Sequence, residues 1–141
     1  MLNKSRVADV MTKDVTTVYE ESNLQQVFAL LTPYRFRHLP VIDGQRLVGI
    51  LSQRDLLQVQ GERVSKNPAL RAQAERTLEE TFVRDIMNSN VVTTRPDASL
   101  AEAAQRMIEH RVGALPVVDE AGLLLGIVTQ TDLLRSLAHM L

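Results

Sequence analysis

Apolar and polar positions along the chain follow two kinds of spacing, and the whole order occurs twice. Val15-Thr16-Thr17-Val18 and Val91-Val92-Thr93-Thr94 are short β-branched runs, which predict strands. After each, apolar residues recur at three and four: Leu24, Val27, Phe28 and Leu31, then Leu100, Ala103, Ala104, Met107 and Ile108. That period predicts amphipathic helices, opened by Ser22 with Gln25 and by Ser99 with Glu102 as capping boxes. Pro33 should truncate the first helix, whereas Glu109 at the equivalent place lets the second run about a turn further. Next come His38 to Ile42 and Ala114 to Val118, turns at Asp43-Gly44 and Glu120-Ala121-Gly122, and the runs Leu47 to Leu51 and Leu124 to Val128. These predict hairpins. A last short helix starts near Gln53 or Gln130 and carries Leu56-Leu57 or Leu133-Leu134. Each half therefore reads β-α-β-β-α.

The two halves are copies. An offset of 76 residues pairs Val7-Ala8-Asp9-Val10-Met11 with Val83-Arg84-Asp85-Ile86-Met87, and Leu39-Pro40-Val41-Ile42-Asp43 with Leu115-Pro116-Val117-Val118-Asp119. One extra residue in the second turn makes the offset 77, and Gly49-Ile50-Leu51-Ser52-Gln53-Arg54-Asp55 then lies on Gly126-Ile127-Val128-Thr129-Gln130-Thr131-Asp132. A long period present only twice argues for a duplicated half-domain rather than a solenoid. A unit of about 55 residues cannot readily bury both faces of its sheet. The expected fold is therefore α/β (α+β), with two β-α-β-β-α units packed sheet to sheet in pseudo-twofold symmetry. The boundaries expected are 1–64 for the first unit, 65–81 for a linker helix and 82–141 for the second. Asn67-Pro68 opens the linker helix, and Leu70, Ala74, Leu78 and Phe82 are its candidate apolar contacts.

The paired Asp-Val/Ile-Met, Val/Thr strand, Leu-Pro-Val-h-Asp and Gly-h-h-Ser/Thr-x-x-Asp signatures (h being an apolar residue) resemble a tandem pair of CBS domains, a Bateman module of the stand-alone type, over roughly Val7 to Ala138. The resemblance implies a regulatory sensor that binds AMP, ADP, ATP, NAD, S-adenosylmethionine or a cyclic dinucleotide in two clefts between the units. An ionised carboxylate only accepts hydrogen bonds, so Asp55 and Asp132 suit the two donors of a ribose diol. Ser52 and Thr129 offer hydroxyls near a helix N-terminus, where phosphate is favoured. Arg54 and Thr131 adjoin the aspartates as further candidates. Local sequence alone favours reading Ser/Thr-x-x-Asp as a capping arrangement. Its recurrence in both halves, within the family pattern, favours binding.

By the same resemblance an adenine slot is lined by Met11, Val15 and Thr16, by Met87, Val91 and Val92, and by Ile50 or Ile127. Plain core burial is compatible with several of these positions, and thioethers such as Met11 and Met87 fill irregular gaps well. Gly49 and Gly126, inside the third strands, are expected to permit close backbone approach rather than to cradle phosphate. The basic residues break the symmetry: Arg37 and His38 in the first half stand opposite Gly113 and Ala114 in the second. If these positions border the clefts, as the resemblance implies, phosphate neutralisation is concentrated on the first half. The two sites should then differ in affinity, with Arg37 reaching the one that holds Thr129 and Asp132. A solvated strand end or a dimer contact is the alternative for Arg37 and His38.

Composition narrows the function. The chain has 141 residues, 45% hydrophobic and 23% charged, with no cysteine, so a disulfide scaffold and thiolate chemistry are excluded. Sixteen basic against 17 acidic residues leave a net charge of −1, which counts against nucleic acid and anionic membrane as partners. His38, His110 and His139 lack metal-ligand spacing, and no P-loop, dinucleotide glycine fingerprint or nucleophile elbow is present, so we expect no enzyme, no metal and no catalytic cofactor. No stretch has the length or apolarity of a leader or membrane span, and a cytoplasmic location is expected. An adenosine nucleotide as regulatory ligand and an effector on a separate polypeptide are the expected partners. A homodimer is expected too, through Leu56, Leu57, Leu133, Leu134 and Leu137. The alternatives are an unliganded dimerisation scaffold and a single-stranded RNA binder.

Overall fold

The computed structural model describes residues 5–31 and 38–141. Its elements are α1 (Val7–Val10), β1 (Val18–Tyr19), α2 (Leu24–Leu31), β2 (His38–Asp43), β3 (Arg46–Ser52), α3 (Gln53–Arg63), α4 (Pro68–Glu80), α5 (Val83–Ile86), α6 (Leu100–His110), β4 (Ala114–Val118), β5 (Leu124–Thr129) and α7 (Gln130–Met140). The mixed helix and strand content expected from the sequence is observed. The chain forms two compact units, an amino unit of Thr16–Asp43 with Val48–Ser89, and a carboxy unit of Met1–Val15, Gly44–Leu47 and Asn90–Leu141. Packing thus crosses the sequence boundaries near residues 64 and 82, because the short segment leading into each repeat folds onto elements of the other.

In the amino unit the strand order is β1-β2-β3, with β1 parallel to β2 through Val18↔Val41 and Tyr19↔Ile42. Asn88 and Ile50 exchange both backbone hydrogen bonds at 2.9 Å, so the lead-in after α5 covers the free edge of β3. Leu24, Val27, Phe28, Leu31, Leu39, Val41, Leu51, Leu56, Leu78 and Val83 make the core. Helix α4 packs on α2 and α3 through Ala74 and Leu78, while Leu70, expected to join them, is exposed.

The carboxy unit repeats the plan. β4 and β5 pair antiparallel, Thr94 lies parallel to Val117, and Thr12 pairs with Ile127 on the far edge of β5. Val7, Leu100, Ala103, Met107, Leu115, Val117 and Val128 form its core. Of the apolar positions expected to face this core from α6, Ile108 is instead exposed, since it lies a 100° step around the helix from Met107, off the stripe of Leu100, Ala103 and Met107.

Three local expectations need correction. The predicted strands at 15–18 and 91–94 shrink to Val18–Tyr19 and to a single bridge at Thr94. β-branched residues make extension cheap, but only the residues that run alongside the central strand find hydrogen-bond partners. The first capping box is Asn23 with Gln26, not Ser22 with Gln25: each residue's side-chain oxygen accepts the other's N–H at 2.9 Å. Ser22 is still in the turn, with its N–H bonded to Tyr19 and its carbonyl to Val83 N–H. Pro33 and the residues after Leu31 that would show where α2 ends lie outside the described residues, while α6 runs to His110. The Ser99–Glu102 box and the Asn67 cap form as expected.

The lead-in helices dock by the same bonds in both units. Val7 N–H donates to Ala98 at 2.9 Å and Ala8 to Pro96 at 3.0 Å, and the copies are Val83 to Ser22 at 2.8 Å and Arg84 to Glu20 at 3.0 Å. Val7→Ala should therefore loosen the start of α6 and not that of α2. Removing two buried methyl-sized groups costs roughly 2 kcal/mol, so exchange of the Leu100 and Ala103 amides should rise at least about ten-fold. Val83→Ala should do the same to Leu24 and Val27. Hydrogen exchange read by mass spectrometry checks the crossover, and faster exchange within each variant's own repeat would contradict it.

Candidate functional site

Strand-to-helix junctions carry the chemistry. At the β3–α3 junction Asp55 Oδ2 accepts Ser52 N–H at 2.8 Å and the Ser52 hydroxyl at 2.9 Å. At the β5–α7 junction Asp132 Oδ2 accepts Thr129 N–H at 2.8 Å and the Thr129 hydroxyl at 3.0 Å, while Thr129 Oγ1 accepts Asp132 N–H at 3.3 Å. The capping reading of Ser/Thr-x-x-Asp is thus realised in both repeats. The aspartate at the third helical position satisfies the backbone N–H that the strand can no longer pair.

The cap uses only one oxygen of each carboxylate. Asp55 is exposed, and its Oδ1 has no hydrogen-bond partner among the described residues. Asp132 is enclosed, with 10% of its side chain exposed, and its Oδ1 faces Arg135 Nη1 at 3.6 Å. Chemically equivalent by sequence, the two aspartates therefore differ in what they can still accept.

Around the second junction the structure gathers several of the expected residues. Ala114 pairs with Thr129 across the hairpin, and Gly113 carbonyl accepts Gln130 N–H at 3.0 Å. A Cβ built on Gly126 would stand 2.6 Å from the Thr12 carbonyl oxygen and 3.0 Å from Met11 Sδ. A Cβ on Gly49 would stand 3.0 Å from Met87 Cγ and 3.2 Å from the Asn88 carbonyl oxygen, with Met87 Sδ nearer still. The strand glycines thus serve close approach, as expected, and each places a methionine against a third strand: Met11 against Gly126, Met87 against Gly49.

Other expected residues are placed less closely. His38 starts β2 and is half-buried, Thr16 is exposed and Val92 half-buried. Arg54 and Thr131 lie exposed in the first turns of α3 and α7. Arg37 lies outside the described residues. Among the described residues no group of three or more histidines and carboxylates could hold a metal ion.

Two features escaped the sequence reading. Asp9 and Asp85, noticed only as signatures, cap the lead-in helices by accepting Arg6 N–H at 2.8 Å and Phe82 N–H at 3.1 Å. Their spacing, three residues after each helix entry, was the available signal. Arg135 stands three residues after Asp132 on one helix face, a spacing that brings side chains together.

The folded repeats place this protein in a class of tandem two-unit modules with matched strand-to-helix junctions. The description of the CBS domain matches residues 7–62 and 83–139, and the chain belongs to the CBS-domain family. The CBS domain-containing protein YhcV of Bacillus subtilis is 33% identical over 129 residues, 92% of this chain and 83% of that protein. Homoserine O-acetyltransferase of Methanohalophilus mahii is 31% identical over 124 residues, but the chain spans only 22% of its length. Among solved structures, CBSX2 in complex with AMP is 28% identical at a TM-score of 0.77, covering 96% of this chain and 97% of that one. The CBS domain pair of MJ0100, in complex with 5′-methylthioadenosine and S-adenosyl-L-methionine, is 25% identical at 0.76, covering 97% and 98%.

The cap geometry generates a stability prediction. Asp55→Ala and Asp132→Ala remove the acceptor for the junction N–H and should each lower Tm by roughly 3–5 °C, equivalent to about 1 kcal/mol. Asp55→Asn and Asp132→Asn keep an amide oxygen there and should lose less than half of that. Scanning calorimetry of the four variants checks it, and asparagine variants as unstable as the alanine ones would contradict an acceptor role.

Proposed function

We propose that the chain is a regulatory module that binds an adenosine-containing nucleotide at its strand-to-helix junctions and passes a shape change to a separate effector protein. The observation that carries this reading is the recurrence of one carboxylate–hydroxyl pair at both junctions, with Oδ1 of each aspartate left over by the cap. A ribose diol donates and a carboxylate accepts, so Oδ1 of Asp55 and Asp132 are the sugar acceptors. The Ser52 and Thr129 hydroxyls can rotate from carboxylate to phosphate, while the backbone N–H keeps the cap closed. Ile50 and Ile127, each two residues before the end of its strand, β3 or β5, supply apolar surface for the base on the strand that leads into each junction.

The ligands bound by CBSX2 and by MJ0100 all contain adenosine, which supports the ligand class. The match to an acetyltransferase over 22% of its length supports a module that serves larger partners rather than the chemistry of that enzyme. No helix among the described residues is long and apolar enough to cross a membrane. We place the module in the cytoplasm, where such nucleotides are abundant.

The test is the mass of any nucleotide released on denaturing freshly purified protein, together with calorimetric titration of AMP, ATP, NAD and S-adenosylmethionine. Asp55→Asn and Asp132→Asn should each weaken their own site by about ten- to a hundred-fold, the worth of a charge-assisted hydrogen bond. No binding of any of the four by the native chain would overturn the proposal in favour of an unliganded scaffold.

Exposed leucines favour a homodimer as the working assembly. Leu57, Leu134 and Leu137 stand exposed on α3 and α7. Leu56, expected with them, is fully buried in the amino core, and Leu133 is partly buried against the carboxy core, so neither offers much surface to a partner. Sedimentation equilibrium at micromolar concentration should give twice the 15.8 kDa chain mass, and Leu134→Glu with Leu137→Glu should return the monomer. A native monomer would remove the interface.

A further inference from the structure

We infer that Arg135 tunes sugar recognition in the carboxy unit by competing for the one Asp132 oxygen that the cap leaves, so that the two repeats bind unequally; the inference rests on the proposed reading of the aspartates. Both lone-pair directions of Asp132 Oδ2 are occupied, by Thr129 N–H at 2.8 Å and by its hydroxyl at 3.0 Å. Only Oδ1 remains for a diol, and Arg135 Nη1 stands 3.6 Å from it. The carboxylate is held, with 10% of its side chain exposed, while the arginine side chain is 64% exposed and free to swing into solvent. Arg135 is therefore the movable member of the pair.

The other repeat has no such ion pair among the described residues. The position matching Arg135 at the 77-residue offset is Gln58, which carries no charge, and Asp55 Oδ1 takes no partner among the described residues. A diol reaching Asp55 meets no guanidinium among the described residues, whereas one reaching Asp132 must displace or share one. Exposed ion pairs of this kind shift an equilibrium by at most about five-fold. Arg135 is thus a positioning residue that sets relative affinity, not one that decides whether binding occurs. Because the competition is coulombic, it fades as salt screens it. Binding of an uncharged nucleoside has little other reason to depend on salt.

The experiment titrates adenosine calorimetrically into the full chain carrying Asp55→Asn, which leaves the Asp132 junction as the intact site, with and without Arg135→Gln. At low salt, about 50 mM, Arg135→Gln should tighten adenosine about two- to five-fold, and at about 500 mM the gain should disappear. The mirror variant, Gln58→Arg in an Asp132→Asn chain, should weaken adenosine at Asp55 by a similar factor and recover with salt. Equal affinities, weaker adenosine binding by Arg135→Gln, or a gain that persists at high salt would overturn the role of Arg135. So would an Arg135→Gln that leaves adenosine unchanged and weakens AMP, since that outcome makes the guanidinium a phosphate contact. Binding by Asp55→Asn without any effect of Arg135 removes this inference alone. Failure of every chain, native included, to bind adenosine or AMP removes the functional reading and this inference with it.

Discussion

Everything in this fold depends on a sheet edge that its own repeat does not close. The third strand of each repeat would present unpaired N–H and C=O groups along its outer side, a costly state for a half-buried backbone. Thr12 closes that edge at Ile127 and Asn88 closes it at Ile50, in each case from the segment that leads into the other repeat. The approach leaves no room for a Cβ at Gly126, which would stand 2.6 Å from the Thr12 carbonyl oxygen, and at Gly49 a Cβ would force Met87 aside. Glycines therefore hold these places in largely apolar strands. Docking of the lead-in helices, burial of Val7 and Val83 and the lie of Met11 and Met87 all follow from this one pairing.

The same economy appears at the helix starts. Four helices, α1, α3, α5 and α7, begin with an aspartate at the third position turning back to the N–H at the helix entrance. Such a cap stabilises a short helix by about 1 kcal/mol at little side-chain cost. It uses one carboxylate oxygen and leaves the other. Structural and recognition roles are thus compatible in Asp55 and Asp132, and the older opposition between a cap and a ligand contact dissolves at the level of individual oxygen atoms.

Much of this was legible beforehand. The duplication, the hairpins and the amphipathic faces of α2 and α6 are written in spacings that depend only on backbone geometry, and the glycine positions pointed to close approach. Helix starts were less secure: Ser22-x-x-Gln25 and Asn23-x-x-Gln26 are both valid capping patterns, and the hydrogen bond from Val83 to the Ser22 carbonyl decides between them. Leu56 and Leu57 look alike in sequence, yet a 100° step around the helix buries one and exposes the other. Which strand residues pair was equally hidden, since β propensity records fit to a pleated surface and not the partner.

By itself, then, the amino-acid order determined two copies of β-α-β-β-α, a linking helix, and two acidic junctions of matching chemistry, because these rest on local periodicity and short-range caps. Tertiary structure decided which repeat each lead-in serves and how far each aspartate is enclosed. Those outcomes depend on contacts between residues 38 to 115 positions apart in sequence, as Ile50 with Asn88 and Thr12 with Ile127, or on how the rest of the unit closes over a helix start. No local spacing encodes either one.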